Sequence, residues 1–117
     1  MATLAVVGDD LVVKMSWFER LEAVHSDVHV RRSAVREVRV VDSAWPELRG
    51  VRAPGTGVPG VVAVGTRRGG FGKDFAVVHG TGPAVIVELD GERYARLVVT
   101  AKDAGRLAAK VTGTPGI

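Results

Sequence analysis

Residues 49–75 hold eight of the chain's fifteen glycines and two of its five prolines. Five basic residues in it, Arg49, Arg52, Arg67, Arg68 and Lys73, precede its first acidic one, Asp74. A helix cannot run through such a stretch, because an interior glycine costs about 1 kcal/mol relative to alanine and a proline about 3. Only residues 61–66, Val-Val-Ala-Val-Gly-Thr, combine β-branched side chains with the spacing of a strand. The expected organisation is therefore loop, strand, loop, and the flanking chain has to supply the core.

That chain is ordinary globular sequence. At 117 residues, with 46% apolar and 25% charged side chains, it fits one domain spanning residues 1–117, with residues 1–9 as an arm and 113–117 as a tail. Aromatic content of 5% makes the core aliphatic, and the abundance of valine in short runs favours strands over helices. A net charge of +3 is too small to mark a nucleic-acid surface. The absence of cysteine excludes disulfides and thiolate metal sites. The first apolar run stops at Gly8-Asp9-Asp10, short of a secretory signal, and no run approaches the eighteen or more residues of a membrane span. The expected location is the cytoplasm, with peripheral membrane contact as the variant.

Turn residues divide the rest into elements. Residues 11–15 read as a first strand, and Ser16-Trp17-Phe18-Glu19 has the form of a capping box opening a short helix to about Ala23. Alternation at 27–31 and again at 35–40 gives two strand pieces joined or bulged near Ser33. Strands are expected at 75–78, 84–89 and 93–99, the last two joined as a hairpin by Asp90-Gly91. Thr100-Ala101-Lys102-Asp103 again has capping form, and Ala104, Leu107, Ala108 and Val111 fall on one helical face, closed by Gly113 and Pro115. The expected fold is mainly β: about seven strands, mostly in antiparallel succession, with a C-terminal helix.

Asp27-Val28-His29-Val30, the run at 35–40, Ala84–Leu89 and the hairpin Asp90-Gly91-Glu92-Arg93-Tyr94-Ala95-Arg96-Leu97-Val98-Val99 resemble strands two, three, six and seven of uncharacterised bacterial proteins with a pleckstrin-homology-like domain. The resemblance implies a bent antiparallel sheet or partly open barrel plugged by its C-terminal helix, and an interaction or assembly role. Members of that fold that bind phosphoinositides carry a basic motif after the first strand. Here Lys14 and Arg20 can be aligned with it, but Glu22 stands where its last arginine belongs and Glu19 adds another negative charge.

Gly55-Thr56-Gly57-Val58-Pro59-Gly60 matches G-x-G-x-x-G by letter only. A dinucleotide fingerprint follows a strand and opens a helix, whereas Pro54 precedes this one, Pro59 removes an amide and valines follow. Gly72-Lys73 lacks the remainder of a phosphate-binding loop. His25, His29 and His79 have no metal-ligand spacing, and no Ser/His/Asp or paired-carboxylate arrangement stands out. No cofactor, metal or nucleic-acid partner is expected, and a small enzyme is the least favoured reading, since its polar cluster would have to be assembled by the fold. The expected function is a non-catalytic interaction module that binds a protein partner or itself. The alternative is an anionic small ligand or anionic membrane surface held by Arg49, Arg52, Arg67, Arg68 and Lys73.

Overall fold

A computed structural model describes residues 3–16, 19, 27–58 and 60–112, with residues 51–56 described by their backbone alone. The fold is mainly β. Among the described residues nine strands form two sheets: β1 (Thr3–Val7), β2 (Asp10–Lys14) and β3 (Val28–Arg31) make an antiparallel three-stranded sheet in that order. β4 (Val35–Val41), β5 (Val51–Val58), β6 (Val62–Gly69), β7 (Gly72–His79), β8 (Ala84–Leu89) and β9 (Arg96–Thr100) make a six-stranded sheet in the order β4-β8-β9-β7-β6-β5. Single 3-10 turns at Arg32–Ala34 and Trp45–Glu47 lie between strands, and an α-helix, α1 (Ala104–Thr112), follows the last strand.

The main core lies between the sheets. Leu4, Leu11, Val13, Val28 and Val30 of the small sheet meet Val64, Phe75, Val77, Val85, Val87, Leu97 and Val99 of the large one. Ala104, Leu107 and Val111, three of the residues expected on one face, turn α1 into the same core. The opposite face of the large sheet is buried too: Ala63, Ala76, Val78, Ala84, Ile86 and Val98 pack with Ala44, Trp45 and Leu48. Residues 42–50 thus form a strap across that outer face, pinned where Trp45 Nε1 donates to the Gly80 carbonyl at 2.8 Å. Burial on both faces explains why β8 is a continuous apolar run broken only by Glu88.

Several expectations need correcting. The strand expected first, at 11–15, is the second, because the arm before it, loose or pairing by sequence, pairs over its described residues: β1 pairs with β2 from Thr3↔Lys14 to Val7↔Asp10, and Leu4 is fully buried. The glycine-rich stretch contains two strands, because 51–58 is β5. It is an edge strand with its register broken between Arg52 and Gly55, where a missing proline N–H and absent side chains are tolerated. The six letters G-x-G-x-x-G therefore span a strand and its hairpin turn, and no helix follows them. Asp90-Gly91 is not a two-residue hairpin. Residues 90–95 form a longer connection, in which Asp90 N donates to Ala34 O and Ala95 N to Lys73 O, and Tyr94 is buried edge-on against Phe75 at 5.6 Å between ring centroids.

Antiparallel succession also fails at one place. β9 inserts between β7 and β8 and runs parallel to β7, with Asp74↔Arg96 through Val77↔Val99 in register. Residues 80–83 cross the end of β9; four residues at about 3.3–3.6 Å each can span the roughly 10 Å of two strand spacings. Thr100 closes this crossing and is not a helix cap: its hydroxyl accepts from His79 N at 3.0 Å and donates to Val77 O at 3.3 Å. The Ser16 capping box does form, with Ser16 N donating to Glu19 Oε1 at 2.8 Å and Glu19 N to Ser16 Oγ at 3.3 Å. The rest of the helix expected after it, and the closing residues Gly113 and Pro115, lie outside the described residues.

Phe75 is fully buried where the main core meets the 90–95 connection. Phe75→Ala should lower stability by about 3–5 kcal/mol, seen as a fall in the denaturant midpoint at unchanged slope.

Candidate functional site

The strand registers place one row of charged residues across the outer face of the large sheet. Glu37 of β4 opposes Glu88 of β8, Glu88 opposes Arg96 of β9, Arg96 stands beside Asp74 of β7, Asp74 opposes Arg67 of β6, and Arg67 opposes Arg52 of β5. Residues opposed in this way share a face, so every strand contributes one charge to a single line. The strap lies along it and adds Glu47 and Arg49.

Two carboxylates in this row are buried and doubly held. Arg49 clasps Asp74 with Nε to Oδ2 at 2.7 Å and Nη2 to Oδ1 at 3.1 Å, a bidentate pair around an acid whose side chain is only 2% exposed. Arg39 Nη2 donates to Glu88 Oε2 at 2.7 Å, and Arg96 reaches both oxygens of the same carboxylate, with Nε to Oε1 at 3.2 Å and Nη2 to Oε2 at 3.0 Å. Glu47 joins the two arginines: its carboxylate lies 3.0 Å from Arg39, and its carbonyl accepts from Arg96 Nη1 at 2.9 Å. Burial pushes the Glu88 pKa up, but the donors on Arg39 and then Arg96 outweigh it and hold the group below its ordinary 4.5. Reciprocally, the bond to Asp74 raises Arg49 and the bond to Glu88 raises Arg39.

The five basic residues singled out in the sequence therefore separate. Arg49 is neutralised by Asp74, and its guanidinium also lies 4.0 Å above the Phe71 ring. Arg67 serves the strap backbone, with Nε donating to Arg49 O at 3.0 Å and Nη2 to Gly50 O at 3.1 Å. Arg52 is placed by its pairing with Arg67, and its side chain lies outside the described residues. Two glycines make room for this packing. A Cβ on Gly69 would stand 2.5 Å from Phe71 Cε1; one on Gly50, whose φ is +78°, would stand 2.7 Å from Phe71 Cζ and collide with the Arg68 carbonyl.

Arg68 and Lys73 remain. They oppose each other across β6 and β7, and Arg68 is exposed. Lys73 Nζ lies 5.7 Å from the Tyr94 ring centroid, and Arg93, which the sequence reading did not single out, lies 5.2 Å from the same ring. Among the described residues no carboxylate forms an ion pair with Arg67, Arg68, Lys73 or Arg93. Glu47, Asp74, Glu88 and Arg96 were also missed. Only Glu88 carries a signal, a charge inside an otherwise apolar strand, which announces a partner but does not name it until the register is known.

Two further features complete the survey. His79 Nε2 lies 2.9 Å from Glu19 Oε2, whose carboxyl burial raises but the Ser16 and His79 hydrogen bonds bring below 4.5; His29 sits 4.0 Å from Asp10 at an exposed edge. His25 lies outside the described residues, and no cluster of three His, Cys, Asp or Glu side chains suited to a metal occurs among the described residues. The second feature is the outer edge of β4. Among the described residues nothing hydrogen-bonds its outward amides and carbonyls over 36–41. Val40 is 50% exposed, and an open groove of about 250 Å³ runs between Val35, Arg36 and Val38 on β4 and Val111 and Thr112 of α1.

No protein-family model matches the chain, and neither the curated proteins nor the solved structures include a significant match. Among the described residues no helix is long and apolar enough to cross a membrane.

Because Glu88 titrates lower in the folded chain than in the unfolded one, the stability it contributes is complete above about pH 4.5 and is lost as pH falls through the folded value. Glu88→Gln should cost roughly 3 kcal/mol at neutral pH, since Arg39 and Arg96 lose their buried counter-charge. Below pH 4.5 its unfolding midpoint should fall less steeply than that of the wild type, with the remaining slope coming from Glu19 and Glu92, which are also lowered. Urea titrations from pH 3 to 7 measure both effects.

Proposed function

We propose that this chain is a non-catalytic interaction domain that takes an extended polypeptide as an added strand along β4. The edge of β4 carries this reading: seven residues without glycine or proline at the margin of a six-stranded sheet, with backbone groups that no described residue pairs and a half-exposed valine. Main-chain hydrogen bonds along such an edge supply affinity, and alternate side chains of the incoming strand find the groove beside α1. We place the domain with the pleckstrin-homology-like interaction domains of bacteria, working in the cytoplasm. The mainly β architecture and the C-terminal helix packed into the core support that assignment, while the parallel β7–β9 pair departs from a simple meander.

Val40→Lys tests the edge, since a lysine there discourages strand addition and a surface change of this kind leaves stability within about 0.5 kcal/mol. At least a tenfold loss of association is expected, whether the partner is another protein identified by affinity capture or a second copy detected by light scattering. The amides of 36–41 should also gain hydrogen-exchange protection in the wild-type complex. Association indifferent to Val40→Lys, with no protection at 36–41, would overturn the reading.

A second reading rests on Lys73 and Arg93 beside Tyr94 and on Arg68 opposite Lys73, cations with no carboxylate partner among the described residues: an anionic small ligand or anionic membrane surface. Vesicles containing phosphatidylserine should then retain the protein at low salt and release it as salt rises, with Arg68→Ala/Lys73→Ala binding several-fold more weakly. No flotation at low salt would remove this reading.

A further inference from the structure

Resting on the strand-addition reading, we infer that the occupant of β4 is a second copy of β4, paired antiparallel about a two-fold axis through Val38. The other edges of the large and small sheets are poorer templates. β5 carries Pro54, Gly55, Gly57 and a register break; β3 has only four residues and β1 five. β4 is the seven-residue edge that remains, its one irregularity confined to the Val35–Glu37 end, and its charges find opposite charges on a second copy in one register.

A two-fold axis normal to the sheet keeps like faces together, so only residues of matching parity can oppose one another across it. Beyond the register break between Val35 and Glu37, centring on Val40 or Val41 overlaps only the end of the strand and leaves Glu37 with no partner in β4, so three centres remain: Glu37, Val38 and Arg39. Centring on Glu37 opposes two carboxylates, and centring on Arg39 opposes two guanidiniums; each is unfavourable. Centring on Val38 sets Glu37 against the partner's Arg39 twice, Val38 against the partner's Val38, and the exposed Val40 against the aliphatic stem of the partner's Arg36. The charges on β4 thus reject the neighbouring registers and admit this one.

The chemistry is already partly rehearsed within one chain. Arg39 Nε lies 3.3 Å from Glu37 Oε1, and the Glu37 side chain is 53% exposed, leaving acceptor capacity at the outer end of the charged row. Pairing about Val38 brings the partner's Arg39 to that end, so the row continues across the axis and the two six-stranded sheets become one. A contact built on one strand pair is small, and its dissociation constant falls in the micromolar range.

The chain has no cysteine, so single-cysteine variants report the register directly. Val38→Cys should cross-link to a dimer on mild oxidation at high protein concentration, because opposed residues sit about 4.5–5.5 Å apart at Cα. Val40→Cys should not, since its own counterpart is about 14 Å away in this register. Glu37→Arg, at an exposed position, should remain folded by circular dichroism yet weaken dimerisation at least tenfold in sedimentation equilibrium. Equal cross-linking at 38 and 40, or dimerisation unaffected by Glu37→Arg, overturns the register. A chain that stays monomeric at all concentrations but loses an identified partner on Val40→Lys overturns the second copy as occupant and leaves strand addition standing. A monomer with no Val40-dependent partner overturns both.

Discussion

The large sheet is buried on both faces, and the outer face is covered by a strap with only Ala44, Trp45 and Leu48 to offer as apolar anchors. What fixes the strap is the clasp of Arg49 on Asp74, together with the bonds from Arg67 and Arg96 to the strap's carbonyls. Removing one member of a buried pair costs several kcal/mol because the other is left charged and dry. The clasp therefore acts less as a source of net stability than as a penalty on every other placement of residues 42–50. Four strands, β8, β9, β7 and β6, must be in correct register for the charges of Glu88, Arg96, Asp74 and Arg67 to meet, so the row fixes their order and the strap position together.

The same constraint changes the meaning of the glycine-rich basic stretch. Read as letters, its arginines look available to an anion and its glycines look like a phosphate cradle. In the fold, Gly50 and Gly69 clear the space in which the Phe71 ring lies beneath Arg49, and Arg67 turns inward to the backbone carbonyls of the strap. Positive charge is spent on architecture at Arg49 and Arg67. Only across the sheet's inner face, at Arg68 and Lys73 with Arg93, does it remain unneutralised among the described residues.

The existence of most elements was legible from periodicity and turn residues: β2, β3, β4, the core of β6 and β7, β8 and α1 lie where alternation or helical spacing places them. β5 was not, because propensity disfavours Pro54, Gly55 and Gly57 in a strand, and only the tolerance of an edge position admits them. Neighbours were not legible either. Apolar alternation specifies which face of a strand is buried but not which strand lies beside it, so the insertion of β9 between β7 and β8 left no trace in the sequence. The site suffered from the same gap, since Glu88 and Arg96 are eight residues apart while Arg49 and Asp74 are separated by twenty-five.

Edges are where a sheet protein decides whether to associate. Three margins of this fold are blunted in familiar ways: proline, glycine and a register break on β5, and brevity on β3 and β1. β4 carries a different device, alternating charges flanking a valine, and its bulge is confined to the Val35–Glu37 end. Charges on an edge repel a strand of random sequence but not one whose charges alternate in the opposite sense, and antiparallel β4 is such a strand. The pattern that protects this edge against non-specific aggregation is thus the pattern that would recognise its own copy, and protection and specificity need not be separate features of the sequence.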